Sequence, residues 1–331
     1  MTAPLLQLDN FQVDVSTRQG AASVVTGISL EVQKGEAVGI VGESGCGKSL
    51  TMLGVVGLLP AAARVSGGKA VFDGKDLGSL KPRELRAIRG HKIGFVFQDP
   101  MTSFNPVTTI GEQLSEPLIY HLGLSKADAL KRAGELMRLV GIPGGESRLK
   151  DFPHQFSGGM RQRIMIAMGL ACEPQLLIAD EPTTALDVTV QAQIVDLVND
   201  LRKRSDMAVV WITHDLALLS NLADRIFVLY AGMVVESGPV ATIVNQPKHP
   251  YTQGLIASLP QLDGELRGRL SAIPGAPPDI SNRPRGCPFS PRCTSRIDRC
   301  LSEMPPLEAV DGPDHVAACW VTPRTDGAAH A

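Results

Sequence analysis

The segment from Gly42 to Ser49 constrains this chain more than any other stretch. It reads Gly-Glu-Ser-Gly-Cys-Gly-Lys-Ser and fits the phosphate-loop pattern G-x-x-x-x-G-K-[ST] at every fixed position. Its glycines let successive backbone N–H groups converge on a phosphate, Lys48 adds a positive charge, and the Ser49 hydroxyl can bind Mg²⁺. The apolar run 37–41 before it predicts a buried strand, and the segment 50–59 after it predicts a helix. Strand, glycine loop and helix form the context that a nucleotide-binding loop requires.

Composition and charge narrow the classes of protein that the chain can belong to. Its 331 residues suggest one large domain with an appendage, or two domains. A net charge of -2 gives no basic footprint for nucleic-acid binding. The N-terminus lacks the basic start and apolar core of a signal peptide, and the most apolar run, 51–63, is interrupted by Pro60 and too short to span a bilayer. We therefore expect a cytosolic chain whose membrane role, if any, depends on a partner.

Hydrophobic periodicity predicts an α/β fold with a mostly parallel sheet covered on both faces. Alternating residues over 5–35 predict antiparallel strands ahead of the phosphate loop. Short apolar runs at 93–97, 175–179 and 208–213 predict buried strands, and the periodicity of 99–172 is largely helical.

Composition changes near Pro239, beyond which proline and glycine are frequent and four of the six cysteines are found. We therefore predict a domain over residues 1–240, with a helical subdomain at about 99–172. Residues 241–331 are predicted to form a small irregular, cysteine-rich extension.

Polar residues follow the predicted buried strands. Gln98 follows the first, the acidic pair Asp180 and Glu181 follows the second, and His214 follows the third. Asp180 can orient the ligand shell of Mg²⁺, while Glu181 is placed to polarise an attacking water. His214 can hydrogen-bond a γ-phosphate, although a lone histidine at a strand end is more often structural.

A second glycine motif, Ser157-Gly158-Gly159-Met160, precedes the apolar run 164–172. Ser157 can cap a helix there, and the N–H groups behind it can face an anion. Glycine runs of this kind are otherwise usually turns.

Together these motifs resemble the ATP-binding subunits of ABC transporters, over about residues 5–240. The segment Gly42 to Lys48 resembles Walker A, Gln98 the Q-loop glutamine, Ser157 to Met160 the signature, Leu176 to Glu181 Walker B, Ala185-Leu186-Asp187 the D-loop, and His214 the switch histidine. The resemblance implies a P-loop NTPase fold with a mostly parallel core, an antiparallel β subdomain and an α-helical subdomain. It also implies that two such subunits pair head to tail, so that each signature closes over ATP on the other's Walker A.

The same resemblance implies a binding site for ATP and Mg²⁺. Its predicted residues are Gly42, Ser44, Gly45, Gly47, Lys48, Ser49, Gln98, Asp180, Ser157, Gly158 and Gly159, of which Ser49, Gln98 and Asp180 face Mg²⁺. Glu181, His214 and Gln98 are the predicted catalytic residues. Many relatives stack adenine on an early aromatic residue, but Val15 stands there and Phe11 lies nearby, so no stacking residue is assigned.

Segments around the Q-loop and in the extension resemble the dipeptide and oligopeptide importers. They are 98–106, His249-Pro250-Tyr251-Thr252, Ile273-Pro274-Gly275 and Cys287-Pro288-Phe289-Ser290-Pro291-Arg292-Cys293. The resemblance implies a second ATPase subunit, commonly unlike this one, two membrane permeases and an extracytoplasmic binding protein, with this chain on the cytoplasmic face of the inner membrane. Ser103 and Phe104 are candidates for contacting a permease helix, unless Phe104 packs locally.

The cargo is open between di- or oligopeptides, nickel chelates and haem. Two rival hypotheses are a non-transport ABC ATPase and a regulatory module whose extension senses redox state or metal. A non-transport ABC ATPase usually has two cassettes or a long coiled-coil insertion, and this chain has neither.

Four cysteines lie in the predicted extension, apart from Cys46 in the phosphate loop and Cys172 after an apolar helix. They are Cys287, Cys293, Cys300 and Cys319, with intervals of x5, x6 and x18. Disulfides are not expected in a reducing cytosol, so the alternatives are a [4Fe–4S] cluster, Zn²⁺ or unliganded thiols. Some relatives with such an extension carry an iron–sulfur cluster, and the C-x₂₋₄-C pairs common in zinc sites are absent.

Overall fold

The computed structural model describes residues 3–18, 20–184, 186–258, 273–279 and 283–322. The strands are β1 (Leu6–Thr17), β2 (Gly20–Val32), β3 (Ala37–Val41), β4 (Ala63–Phe72), β5 (Lys75–Asp76), β6 (Ile93–Val96), β7 (Leu176–Asp180), β8 (Ala208–Thr213), β9 (Arg225–Tyr230), β10 (Met233–Pro239), β11 (Glu308–Ala309) and β12 (Val316–Ala317). The α-helices are α1 (Lys48–Val55), α2 (Pro82–Ile88), α3 (Pro100–Ser103), α4 (Ile110–Leu122), α5 (Lys126–Leu139), α6 (Gly158–Leu170), α7 (Val188–Ser205), α8 (Leu216–Leu222), α9 (Val240–Asn245), α10 (Pro250–Ala257) and α11 (Arg299–Ser302).

The chain divides into two compact units. The first unit comprises residues 3–5, Val32–Ala37 and Asp73–Ile212. The second unit comprises Leu6–Glu31, Val38–Phe72 and the described residues from Thr213 onward.

In the first unit, β6, β7 and β8 form neighbouring parallel strands. Val96 lies opposite Ala179, and Asp180 lies opposite Ile212. Every residue of β7 and β8 is buried, as expected for parallel strands covered on both faces. The structure confirms these predicted strands, with ends that differ by at most one residue.

The helical region of the first unit contains α3 to α6, as its periodicity predicts. Thr109 and Glu112 form a capping box at the start of α4, and Gly123 ends that helix in the left-handed conformation with φ 67°. Helix α6 packs closely on β6, because a Cβ at Gly94 would lie 2.1 Å from the carbonyl oxygen of Gly169.

The second unit combines an antiparallel sheet with the strand that carries the phosphate loop. Strands β2, β1 and β4 are neighbours, and β1 pairs antiparallel with β4, with Leu6 opposite Phe72. Strand β3 pairs in parallel with β9, where Val41 lies opposite Val228. Strands β9, β10, β12 and β11 then follow as antiparallel neighbours. The predicted antiparallel strands ahead of the phosphate loop are confirmed.

Helix α1 starts earlier and ends earlier than the sequence predicts. It begins at Lys48 and ends at Val55. Gly57 then adopts φ 63°, and the N–H of Leu58 donates to the carbonyl of Leu53 at 2.8 Å. A left-handed glycine with such a bond ends a helix even where apolar periodicity continues.

The described part of the chain after Pro239 contains more regular secondary structure than its composition predicts. It contains α9, α10 and the short strands β11 and β12, and a buried carboxylate attaches it to β10. Glu236, fully buried, accepts hydrogen bonds from the N–H groups of Lys248 at 2.7 Å and His249 at 2.9 Å, and its carboxylate lies 2.7 Å from Nε2 of His315. Such short elements leave little periodicity in a sequence.

Among the described residues, no helix combines the length and apolar character needed to cross a membrane.

Candidate functional site

The phosphate loop lies in the second unit, directly after the buried strand β3. Gly42 passes so close to the neighbouring chain that a Cβ there would lie 2.2 Å from the carbonyl oxygen of Leu229. Gly45 and Gly47 have φ values of 80° and 96°, which favour glycine. The fixed glycines of the pattern are therefore required by close approach and by backbone conformation.

Lys48 is curled back over the loop. Its Nζ donates to the carbonyls of Gly42 at 2.6 Å and Glu43 at 3.0 Å, and lies 3.8 Å from Sγ of Cys46. Burial raises the pKa of the Cys46 thiol, so this sulfur remains a weak, neutral acceptor at neutral pH. A phosphate oxygen is a stronger partner for the third ammonium proton than this thiol. Ser49, half-buried, stands in the first turn of α1.

The predicted Q-loop and Walker B residues share one edge of the sheet in the first unit. Gln98 is exposed and follows the end of β6, while Asp180 is the last residue of β7 and only 3% exposed. Since β6 and β7 are parallel and paired, their carboxyl ends lie side by side. This placement suits oxygen ligands around Mg²⁺.

Glu181 has an unusual backbone. Its φ is 45°, in the left-handed region that few non-glycine residues adopt, and its N–H donates to the carbonyl of Ile212 at 2.9 Å. The hydroxyl of Thr184 donates to its Oε2 at 3.3 Å. Non-glycine residues held in this conformation cluster at functional sites, and nothing in the sequence signalled it.

The predicted signature begins helix α6 in the first unit. The Oγ of Ser157 accepts a hydrogen bond from the N–H of Met160 at 3.3 Å, which makes Ser157 the N-cap. Ser157 and Gly158 are exposed, and a Cβ at Gly158 would meet nothing within 4 Å. Gly159 follows in the first turn. The helix start is therefore open to an anion from outside the unit.

The predicted D-loop and switch histidine each precede a helix. Asp187 caps α7 by accepting from the N–H of Val190 at 3.0 Å; of the predicted D-loop, Ala185 lies outside the described residues. His214, exposed in the second unit, is held in a turn because the N–H of Asp215 donates to Oγ1 of Thr213 at 3.0 Å.

The predicted residues are thus divided between the units. The second unit holds the phosphate loop and His214. The first unit holds Gln98, Asp180, Glu181 and the signature. Of the residues weighed for adenine, Phe11 is buried at 2% exposure, so its ring is not available for stacking, and Val15 is half-buried.

Comparison with known proteins shows which family combines these features. The ABC transporter family matches residues 25–184, and the oligopeptide/dipeptide transporter C-terminal region matches 235–300. The chain is 48% identical over 319 residues to the dipeptide transport ATP-binding protein DppD of Bacillus subtilis, covering 96% of this chain and 94% of that protein. The chain belongs to the ABC transporter ATP-binding family.

Other relatives agree with this assignment. The oligopeptide transport ATP-binding protein OppD of Salmonella typhimurium is 46% identical, over 96% of this chain and 93% of that protein. A dimeric ATP-binding cassette, solved in a post-hydrolysis state with ADP and Pi, matches with a TM-score of 0.65 and 32% identity, covering 71% of this chain and 98% of that chain. As a member of this family, the chain is an ATP-hydrolysing subunit with the P-loop NTPase fold.

The four cysteines of the C-terminal region line one small cavity, together with residues that include His249, Phe289 and Trp320. Even so, no group of three or more His, Cys, Asp or Glu side chains in the described ranges is placed to hold a metal ion. Burial raises the pKa of Cys287 to about 11 and also raises that of Cys293. Metal binding would therefore have to displace protons from these thiols. The described side chains therefore do not form a preassembled metal centre.

Three residues of a polar cluster at the phosphate loop were not predicted as site residues. They are Glu43, within the loop, and Tyr251 and Arg292, from the C-terminal region. Arg292 lies inside the segment Cys287 to Cys293, which the sequence marks as a family motif without assigning it a contact. Phe104 is 5% exposed, so its ring packs locally, which is the alternative that the sequence left open. Ser103 is exposed, and a permease contact through it stays a prediction.

Replacing Ser157 by Ala tests the signature, and the chain offers a matched control. Ser125 caps α5 through the N–H of Asp128 at 3.2 Å, as Ser157 caps α6. Each Ser→Ala change should cost about 1 kcal/mol of stability through the lost cap. Only Ser157→Ala should lower steady-state ATP hydrolysis, by about tenfold or more, equivalent to about 1.4 kcal/mol. Equal hydrolysis in the two variants would contradict a role for the signature.

Proposed function

We propose that this chain is the ATPase subunit of an ABC importer of di- or oligopeptides. The observation that carries the proposal is the combination of a phosphate loop with a C-terminal region that matches the oligopeptide/dipeptide transporter family over residues 235–300. Relatives named for dipeptide and oligopeptide transport cover more than nine-tenths of the chain. No observation favours nickel chelates, haem or a non-transport role as the alternative.

The residues of the two units have separate tasks in this proposal. In the second unit, the loop from Gly42 to Ser49 would bind the phosphates through its N–H groups and Lys48, and Ser49 would bind Mg²⁺. In the first unit, Gln98 and Asp180 are the residues proposed to bind Mg²⁺. Bound Mg²⁺ neutralises negative charge on the phosphates. Glu181 orients and polarises the attacking water, and His214 hydrogen-bonds the γ-phosphate.

A second ATPase subunit completes the site. Ser157 and Gly158 are exposed at the start of α6, and Gly159 follows half-buried; this helix start fits a phosphate held by another copy or a paralogue. ATP binding would then drive association of the two subunits, and hydrolysis would release them. The whole assembly would include two permeases and an extracytoplasmic binding protein, with this chain at the cytoplasmic face of the membrane.

A groove on the helical part of the first unit is the proposed docking surface for a permease. It is lined by Thr108, Glu112, Ser115, Glu116, Ile119, Tyr120, Lys126 and Leu130. Tyr120 is 61% exposed, and the buried hydroxyl of Ser115 has no hydrogen-bond partner within the described chain. Since Glu112, Glu116 and Lys126 line the groove and are all exposed, it suits a permease segment with an apolar side chain flanked by charged ones.

We also propose that Cys287, Cys293, Cys300 and Cys319 bind an iron–sulfur cluster. Their common cavity supports the proposal, since such clusters are held by four cysteine thiolates. Because no group of three described side chains is placed to hold a metal ion, cluster assembly would have to deprotonate the thiols and draw them together. Zinc and free thiols are the alternatives.

Replacing Glu181 by Gln should preserve ATP binding and lower turnover about 100-fold or more, because the amide cannot accept a proton from water. ATP binding and steady-state hydrolysis would be measured on the same preparation. Glu173→Gln is the control, since Glu173 is also acidic and also has a positive φ, 51°. Turnover of Glu181→Gln equal to that of the control would remove Glu181 from catalysis.

Affinity purification from membranes tests the partners. The chain should co-purify with two permeases and a second ATPase subunit. Tyr120→Ala should weaken permease binding about 30-fold, as the loss of an interface hot spot of about 2 kcal/mol would. Leu139→Ala, which truncates another exposed apolar residue of the helical region, should leave binding unchanged. Retention of the permeases by Tyr120→Ala at wild-type affinity would exclude this surface.

Metal analysis of anaerobically purified protein tests the cysteine proposal. We expect about four iron and four sulfide per chain, both lost in Cys287→Ser. Cys172→Ser is the control, because Cys172 is buried elsewhere and donates weakly to the carbonyl of Pro117 at 3.6 Å. Stoichiometric zinc without iron, or no metal at all, would refute the cluster.

A further inference from the structure

Glu43, the second residue of the phosphate loop, has all of its polar groups paired. Its carbonyl accepts from Lys48 at 3.0 Å, its N–H donates to the hydroxyl of Tyr251 at 2.8 Å, and its carboxylate accepts two bonds from Arg292. Tyr251 and Arg292 are 208 and 249 positions away in the sequence. Two of the three contacts that hold this residue therefore come from the C-terminal region.

Arg292 uses all five of its N–H donors. Its Nη1 donates to Oε2 of Glu43 at 2.6 Å and to the hydroxyl of Tyr230 at 3.3 Å. Its Nη2 donates to Oε1 of Glu43 at 2.9 Å and to the carbonyl of Ile273 at 3.4 Å, and its Nε donates to the carbonyl of Pro274 at 2.9 Å. The arginine side chain is only 4% exposed. A lysine has three donors on one atom and could not make this set of contacts.

Aromatic rings pack around the same cluster. The guanidinium of Arg292 lies 5.8 Å from the ring centroids of both Tyr230 and Phe289. Tyr251 is fully buried, and its ring lies 4.6 Å from that of Tyr230. Burial raises the pKa of Tyr251, and the hydrogen bonds to Glu43 raise the pKa of Arg292. At physiological pH Tyr251 therefore keeps a neutral hydroxyl, and Arg292 is a cation.

We infer that Arg292 and Tyr251 are positioning residues for ATP binding, which act through Glu43 to fix the curvature of the phosphate loop. The inference rests on the proposed ATP site at this loop. A loop with glycines at Gly42, Gly45 and Gly47 has large conformational freedom, and ordering it on binding would reduce affinity. Contacts that hold the loop in its binding conformation beforehand reduce that cost.

A purely structural role for the ion pair predicts a different result. If Arg292 served only to attach the C-terminal region, its loss would lower stability but leave the ATP affinity of the folded protein unchanged. If it positions the loop, affinity falls while turnover at saturating ATP is largely retained, because neither side chain touches the reacting atoms. The two roles are therefore separated by affinity and turnover measured on folded protein.

The experiment uses the purified full chain, with Mg-ATP displacing a fluorescent trinitrophenyl-ATP probe. Glu43→Gln and Arg292→Met should each weaken ATP binding about tenfold or more, and Tyr251→Phe, which removes only a hydroxyl, about three- to tenfold. Turnover at saturating ATP should change less than about threefold. The double variant Glu43→Gln/Arg292→Met should bind ATP no more weakly than Arg292→Met alone, because the effects of substituting two residues in direct contact do not add.

The control is Arg299→Met, which removes an exposed ion pair with Glu303 in the same C-terminal region and should leave ATP binding unchanged. Thermal melting identifies variants that fail to fold. If Arg292→Met does not fold, Tyr251→Phe and Glu43→Gln still test the inference, because they preserve the shape of the side chain. Wild-type affinity in folded Glu43→Gln and Tyr251→Phe would overturn the inference. Failure of the wild-type chain itself to bind Mg-ATP would instead overturn the proposed function.

Discussion

Charged and ionisable groups removed from water need partners, and this constraint organises the second unit. Lys48 is 5% exposed, the Arg292 side chain 4%, and Glu236 fully buried. Each has polar partners, because a buried charge without partners is costly. Lys48 finds its acceptors within the phosphate loop, whereas Arg292 and Glu236 pair with groups farther away in the sequence. Strand β10, the phosphate loop and the C-terminal region are thus linked by polar contacts as well as by apolar packing.

The first unit follows a different rule. Its strands β6, β7 and β8 are parallel and buried, so polar residues are excluded from their interiors and appear where the strands end. Asp180 and Glu181 occupy one such end and Gln98 follows another. Ligand sites at the carboxyl ends of parallel strands follow from this arrangement. The left-handed φ of Glu181 adds a local conformation that only the surrounding structure can hold.

The C-terminal region links the family assignment to the chemistry. Residues 235–300 match a region named for oligopeptide and dipeptide transporters, and Tyr251 and Arg292 within it contact the phosphate loop. Arg292 also precedes Cys293, one of the four thiols around the small cavity. The same short segment therefore contributes to two features that are far apart in the sequence.

The sequence alone determined the phosphate loop, the order of the motifs and the buried strands, because these depend on local patterns: fixed glycines, continuous apolar runs and polar residues at strand ends. It did not determine the early end of α1 at Val55, the burial of Phe104, or the helices and strands described after Pro239. It also gave no sign that Glu43 pairs with Arg292. Only the tertiary structure decided these, since a helix-ending backbone conformation, a buried ring and an ion pair across 249 positions depend on neighbours that no local pattern specifies.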